Sequence, residues 1–135
     1  MKHFIPILFS VILLSMTMLS CKKISTPNEE SRELFGSWEY KYDSGGFSGA
    51  GGSTKYNSDS WVEFTERGFF KVYEGSDKKT QKRYRIKMRE SIYSSDKRQA
   101  IVYLYEDYEI FMIEDDKLYI SDNHYDGYTY VFTRK

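Results

Sequence analysis

From Gln81 to Tyr93 the chain alternates residue by residue. Tyr84, Ile86 and Met88 point one way, and Arg83, Arg85, Lys87 and Arg89 point the other. A period of two is the mark of an extended strand whose two faces meet different surroundings. A strand cannot place four cations in a core, so the charged face meets solvent or anionic headgroups. One face is left for an apolar interior, and the rest of the chain has to supply the other walls of that interior.

Other short runs fit that role. Candidate strands are Phe35–Tyr42, Ser60–Thr65, Phe69–Glu74, Gln81–Tyr93, Gln99–Tyr105, Tyr108–Glu114, Lys117–Ser121 and Gly127–Arg134. The 13 Tyr and 9 Phe suit pleated strands. No long window carries a 3.6-residue apolar period, so no substantial helix is expected outside the N-terminal leader. Glu66-Arg67-Gly68, Glu106-Asp107, Asp115-Asp116 and Asp122–Asp126 are short and polar, as antiparallel hairpins require. The expected fold is all-β: a small eight-stranded antiparallel up-and-down barrel, which removes exposed edges by closing. An open sandwich of the same strands is the alternative. Eight strands enclose a space that side chains fill or that holds one small ligand. Tyr40, Phe64, Tyr84, Met88 and Tyr130 are the candidate pocket lining, although core packing is the default for aromatics at period two.

Residues 1–20 read as a leader rather than as part of the fold. Lys2 and His3 precede an uncharged, mostly apolar run from Phe4 to Leu19. That run is shorter than the roughly 20 residues of a membrane-spanning helix and ends in small and polar residues, as secretory signals do. Cys21 is the only cysteine, so no disulfide framework exists and a lone exported thiol calls for another role. Met18-Leu19-Ser20-Cys21 resembles the lipobox of bacterial lipoproteins, with Met18 where leucine is usual. That resemblance implies lipidation of Cys21, cleavage before it, and stable anchoring by more than one acyl chain. It also implies a place in the bacterial cell envelope, at the outer membrane. Residues 22–33, KKISTPNEESRE, are polar and read as a flexible tether, which gives a domain over residues 34–135.

With Lys2 removed in the leader, 19 basic residues face 20 acidic ones. This balance argues against nucleic acid as a partner, because phosphate binding needs a basic excess. The segment Asp43–Asp59 is long, carries Gly45, Gly46, Gly49, Gly51 and Gly52, and has only Phe47 and Tyr56 as large apolar side chains. It is either a ligand lid, with Phe47 and the glycines as its parts, or a surface insertion.

The two ends of the domain carry a second resemblance. Phe35-Gly36-Ser37-Trp38 opens the first strand, and Tyr130-Val131-Phe132-Thr133-Arg134 closes the last. This looks like the lipocalin and calycin superfamily, with a Gly-x-Trp on strand one and a final arginine packed across the indole. The resemblance implies that Gly36, Trp38 and Arg134 are structural and seal one end of the barrel. The Thr-Asp-Tyr motif has only an echo at Asp107-Tyr108, and the usual C-terminal helix is absent before Lys135. A compact lipocalin-like domain of the kind carried by Bacteroidetes lipoproteins is the nearest fit.

No catalytic set is found. His124 is the one histidine after the leader, which excludes a histidine metal cage, and no Gly-x-Ser-x-Gly elbow accompanies it. Asp122–Asp126 offers oxygen ligands for a hard cation, but its residue types equally make a turn. The stripe Lys82, Arg83, Arg85, Lys87 and Arg89 is a solvated strand face or a contact for anionic lipid. Two non-enzymatic functions follow, with no cofactor or metal expected. One is a lipid-anchored barrel that binds a small apolar or amphipathic ligand. The other is a filled barrel that docks another envelope protein, for which exposed Tyr would be suited.

Overall fold

The computed structural model describes residues 29–135. The leader, Cys21 and residues 22–28 of the tether lie outside the described residues. Eight strands follow in order: β1 Gly36–Gly45, β2 Ser60–Phe64, β3 Phe69–Glu74, β4 Asp77–Ser91, β5 Ser94–Tyr103, β6 Tyr108–Glu114, β7 Lys117–Asp122 and β8 Tyr128–Arg134. Each pairs antiparallel with its neighbour, and β1 also pairs with β8, so the sheet closes into a barrel rather than a sandwich.

The turns explain the register. Asp115 and Asp116 both have positive φ, 48° and 59°, as the two central residues of a tight I′-type hairpin do. Gly68, at φ 76°, ends the β2–β3 turn, where Thr65 N–H donates to Phe69 O at 2.9 Å. The β5–β6 link is less usual. Tyr105 and Glu106 both lie in the left-handed region, at φ 69° and 65°, a conformation that costs about 1–2 kcal/mol per non-glycine residue. The Glu106 carboxylate collects Arg85, Arg89 and, at 3.5 Å, Lys87, which holds the link in place.

The barrel interior is filled. Trp38, Val62, Phe64, Phe70, Tyr84, Ile101, Tyr103, Phe111, Leu118, Ile120, Tyr130 and Phe132 form one buried cluster. Phe64 meets Phe70 at 4.9 Å and Tyr84 at 5.3 Å between ring centroids. A second patch, Ala100, Val102 and Ile110, is buried on the opposite face of β5 and β6. Register sets Arg85 beside Val102 and Lys87 beside Ala100, and long cationic stems shield apolar surface of this kind.

Several boundaries differ from the sequence expectation. Residues 29–34 form a 3-10 turn, with Ser31 and Leu34 fully buried, so the chain written as tether up to residue 33 joins the fold earlier. The cause is the base of the barrel: Trp38 Nε1–H donates to Leu34 O at 2.8 Å, which draws the preceding turn inward. β5 begins at Ser94, five residues before the apolar pattern starts, because the outer half of the β4–β5 hairpin leaves the wall and has no face to bury. β5 touches β6 only through Ala100–Val102. Lys82 does not belong to the cationic stripe. It shares the face of Tyr84, and its ammonium lies 5.3 Å from the Tyr103 ring centre.

Candidate functional site

The two ends of the barrel are built differently. At the base, the Arg134 guanidinium lies 3.8 Å from the Trp38 ring centre, and Trp38 is fully buried. Arg134 also donates to Phe35 O at 2.6 Å and to Glu33 O. Gly36 sits against this guanidinium, where a Cβ would be 3.3 Å from it, at φ 112°. Charge-assisted bonds from a planar fork to free carbonyls are well suited to such a closure.

At the opposite end, the mouth, the chain itself supplies a plug. A register shift in β1 between Tyr40 and Tyr42 changes which residues face inward, so Asp43 pairs with Tyr130 at the rim. Asp43 accepts from Tyr40 O–H at 2.7 Å and from the N–H groups of Gly52 and Ser53 at 2.9 and 2.7 Å. Those bonds fasten the glycine-rich loop. Gly51 is needed for this close approach: a Cβ there would be 2.6 Å from Asp43 O, at φ 81°. Beyond Ser53 the loop turns into the barrel. Tyr56, only 7% exposed, packs against Tyr40, Tyr130 and Phe132 with ring centres 5.7, 5.1 and 5.2 Å away.

Lys55 sits beside it. Its ammonium pairs with Glu109, lies 3.6 Å from Asp122, and rests 4.7 Å from the Tyr130 ring centre. Glu109 is 8% exposed and accepts from Tyr103 O–H at 2.6 Å. Asp122 accepts from Tyr130 O–H at 3.3 Å and Tyr128 N–H at 3.2 Å. Burial, and after it the charge of Glu109, raises the Tyr56 and Tyr103 phenols well above their ordinary value. Burial and the neighbouring Asp43 raise Tyr40 to about 12. Burial opposes ionisation of Asp43, yet its bonds from Ser53, Tyr40 and Gly52 hold its carboxyl below the usual range.

Between the plug and strands β3 and β4 remains a cleft of 400 Å³. Tyr56, Phe70 and Val72 supply its apolar lining, and Thr54, Thr80, Lys79 and Lys82 its polar lining. This volume lies within the range of small-molecule sites, about 300–1,000 Å³. Lys79 is paired with Glu74 at 2.9 Å.

The residues named from sequence separate accordingly. Phe64, Tyr84 and Tyr130 sit in the packed interior, where they contact other rings. Tyr40 stands at the mouth against Tyr56. Met88 lies outside the barrel and is 53% exposed. Gly45 and Gly46 start the loop, while Gly49, Gly51, Gly52 and Phe47 form its outer arm, and Phe47 is 97% exposed. The parts of the loop that cover the mouth are Ser53, Lys55 and Tyr56. Sequence reasoning missed Lys55, Glu109, Asp122 and Tyr103 as a group. One signal was present: Glu109 shares the parity of Phe111 and Ile113, so a carboxylate was in step with an inward face.

Met88 lines a second space, a groove of 710 Å³ between the β4–β5 hairpin and the outer side of β6, β7 and β8. Met112, Tyr93 and Tyr119 also line it. The hairpin tip is tied down: Ile92 N–H donates to Asn123 Oδ1 at 2.9 Å and Tyr93 O–H to Asp122 O at 2.8 Å. Of the segment Asp122–Asp126, Asp122 ends β7 and the rest lies in the β7–β8 turn, with Gly127 N–H bonded to His124 O at 2.9 Å. Among the described residues no group of three or more His, Cys, Asp or Glu side chains is placed to hold a metal ion.

The geometry is that of an eight-stranded antiparallel barrel compatible with a lipocalin-like fold. No known family, curated protein or solved structure matches the chain.

Proposed function

We propose that this chain is a lipid-anchored envelope protein whose barrel mouth binds a small amphipathic molecule without catalysing a reaction. One observation carries the reading. The mouth is closed by Tyr56 from a loop, not by strand side chains, and an open cleft remains beside it. A purely structural barrel needs no separable stopper over an aromatic recess. The lipobox-like run ending at Cys21 supports the anchor, and the Trp38–Arg134 closure supports a lipocalin-like relation.

Replacing the anchoring thiol gives the first expected result. Cys21→Ala moves the protein from the membrane fraction to the soluble fraction; full retention in the membrane rejects the anchor. For the mouth, native mass spectrometry of protein released in mild detergent is expected to show a retained small molecule. Protein carrying that molecule should exchange its amides over residues 53–57 faster than stripped protein. A bare mass, with exchange over 53–57 unchanged by membrane extract, rejects mouth binding.

A second reading rests on the outer groove. Its exposed methionines and tyrosines are residue types that adapt to protein partners. A co-isolated protein in the same experiment, without a small molecule, favours docking of an envelope protein there.

A further inference from the structure

The mouth contains more than a stopper. Lys55 and Tyr56 are adjacent, and they enter the barrel together. The Tyr56 ring fills the recess walled by Tyr40, Tyr130 and Phe132, while the Lys55 ammonium takes the two carboxylates of Glu109 and Asp122. The ammonium lies 5.6 Å from the Tyr56 ring centre. An aromatic ring and a primary amine about two carbons apart present this same pair of groups.

We infer that Lys55 and Tyr56 act as a built-in surrogate of the ligand, and that the molecule which replaces them is an arylalkylamine. The inference rests on the mouth-binding reading above and specifies its chemistry.

Charge decides between ligand classes. If the loop lifts away, Glu109 and Asp122 lose the cation that lies between them. Glu109 is nearly buried, and stripping one partner from a buried ion pair is strongly unfavourable. A neutral ligand leaves that defect, and an acid adds a third negative charge. An amine removes it, and its ring recovers the edge-on aromatic contacts that Tyr56 gives up. Lys82, the cation nearest the cleft without a carboxylate partner among the described residues, is turned to the Tyr103 ring instead. The surrogate also sets a threshold. Ligand must compete with a tethered copy of itself, so apparent affinity falls by the fraction of molecules that are open.

The test uses three probes with the same ring: tyramine, 4-ethylphenol and 3-(4-hydroxyphenyl)propionate. Each is titrated by calorimetry into the wild-type protein, Lys55→Ala/Tyr56→Ala, and the same double variant with Glu109→Gln. In the double variant tyramine should bind about tenfold or more tighter than 4-ethylphenol, the size of a charge-assisted bond, and the acid should bind weakest. Glu109→Gln should erase most of that preference. Wild type should bind tyramine more weakly than the double variant does. Equal binding of the amine and the phenol overturns the arylalkylamine and leaves mouth binding standing. Tighter binding of the acid overturns it in favour of Lys82. No binding of any probe to any form overturns the arylalkylamine, and mouth binding is then decided by the exchange of residues 53–57 in membrane extract. Should the variants fail to fold by circular dichroism, hydrogen exchange of wild type decides. Tyramine should speed exchange over residues 53–57 more than the other two probes, and an equal or smaller effect overturns the inference.

Discussion

Trp38→Ala is expected to lower the free energy of unfolding by about 3–5 kcal/mol, the cost of deleting a large aromatic from a closed core. Trp38 is fully buried at the base, and its indole N–H is spent on Leu34 O. In a domain of this size each kcal/mol shifts Tm by about 4–8 °C, so the midpoint should fall on the order of 15 °C or more. Arg134→Met should cost less, about 1–2 kcal/mol, because the guanidinium is exposed and its bonds to Phe35 O and Glu33 O are partly replaced by water. The two losses should not add. A double-mutant cycle on Trp38 and Arg134 should return a coupling of about 0.5–2 kcal/mol from the stacked guanidinium. Strict additivity in urea or thermal unfolding would show that the two residues stabilise the base independently.

The architecture was largely legible in the sequence because its signal is local. Alternation over Tyr84–Arg89, the Asp115-Asp116 turn and the Gly68 turn each encode one hairpin, and hairpins laid in order leave closure as the way to remove edges. The limits of that legibility are physical as well. Ser94–Arg98 is a strand with no buried face, so the residues that would reveal it are polar. Lys82 and Arg83 are adjacent cations, and parity alone separates the one turned to Tyr103 from the one over Phe69. The mouth was harder to read. Lys55, Glu109 and Asp122 are distant in sequence, and they meet only because β6, β7 and the loop converge on one rim. The register shift after Tyr40, which brings Asp43 to the rim, leaves no trace in the order of side chains. Composition located the loop but gave no sign of which side chain enters the barrel.

High pH should unfold the protein steeply, because burial opposes ionisation of the phenols in place. Tyr56, Tyr84, Tyr103 and Tyr130 are each under a tenth exposed, and burial is the leading cause that raises each of them, Tyr130 to about 12. In the unfolded chain the same phenols titrate near 10. Their contribution is therefore fully present below pH 10. Above it the unfolded state binds fewer protons than the folded one, so stability falls as pH rises towards the folded values. Each tyrosine removes about 1.4 kcal/mol per pH unit in that window, and four together remove on the order of 5 kcal/mol per unit. A domain with a typical stability of about 5–15 kcal/mol should then unfold within roughly one to three units above pH 10. The phenolate absorbance left after that of exposed tyrosines such as Tyr105 and Tyr125 should change together with the circular dichroism, since the buried rings ionise on unfolding. Tyr84→Phe isolates one member, because its hydroxyl donates only to Thr65 O at 3.2 Å and takes no part at the mouth. Its alkaline transition should be shallower by about a quarter and shifted upward in pH. If the phenolate absorbance of all 13 tyrosines developed while the circular dichroism of the barrel persisted, these rings would reach water without unfolding, and the packed interior would have to be redrawn.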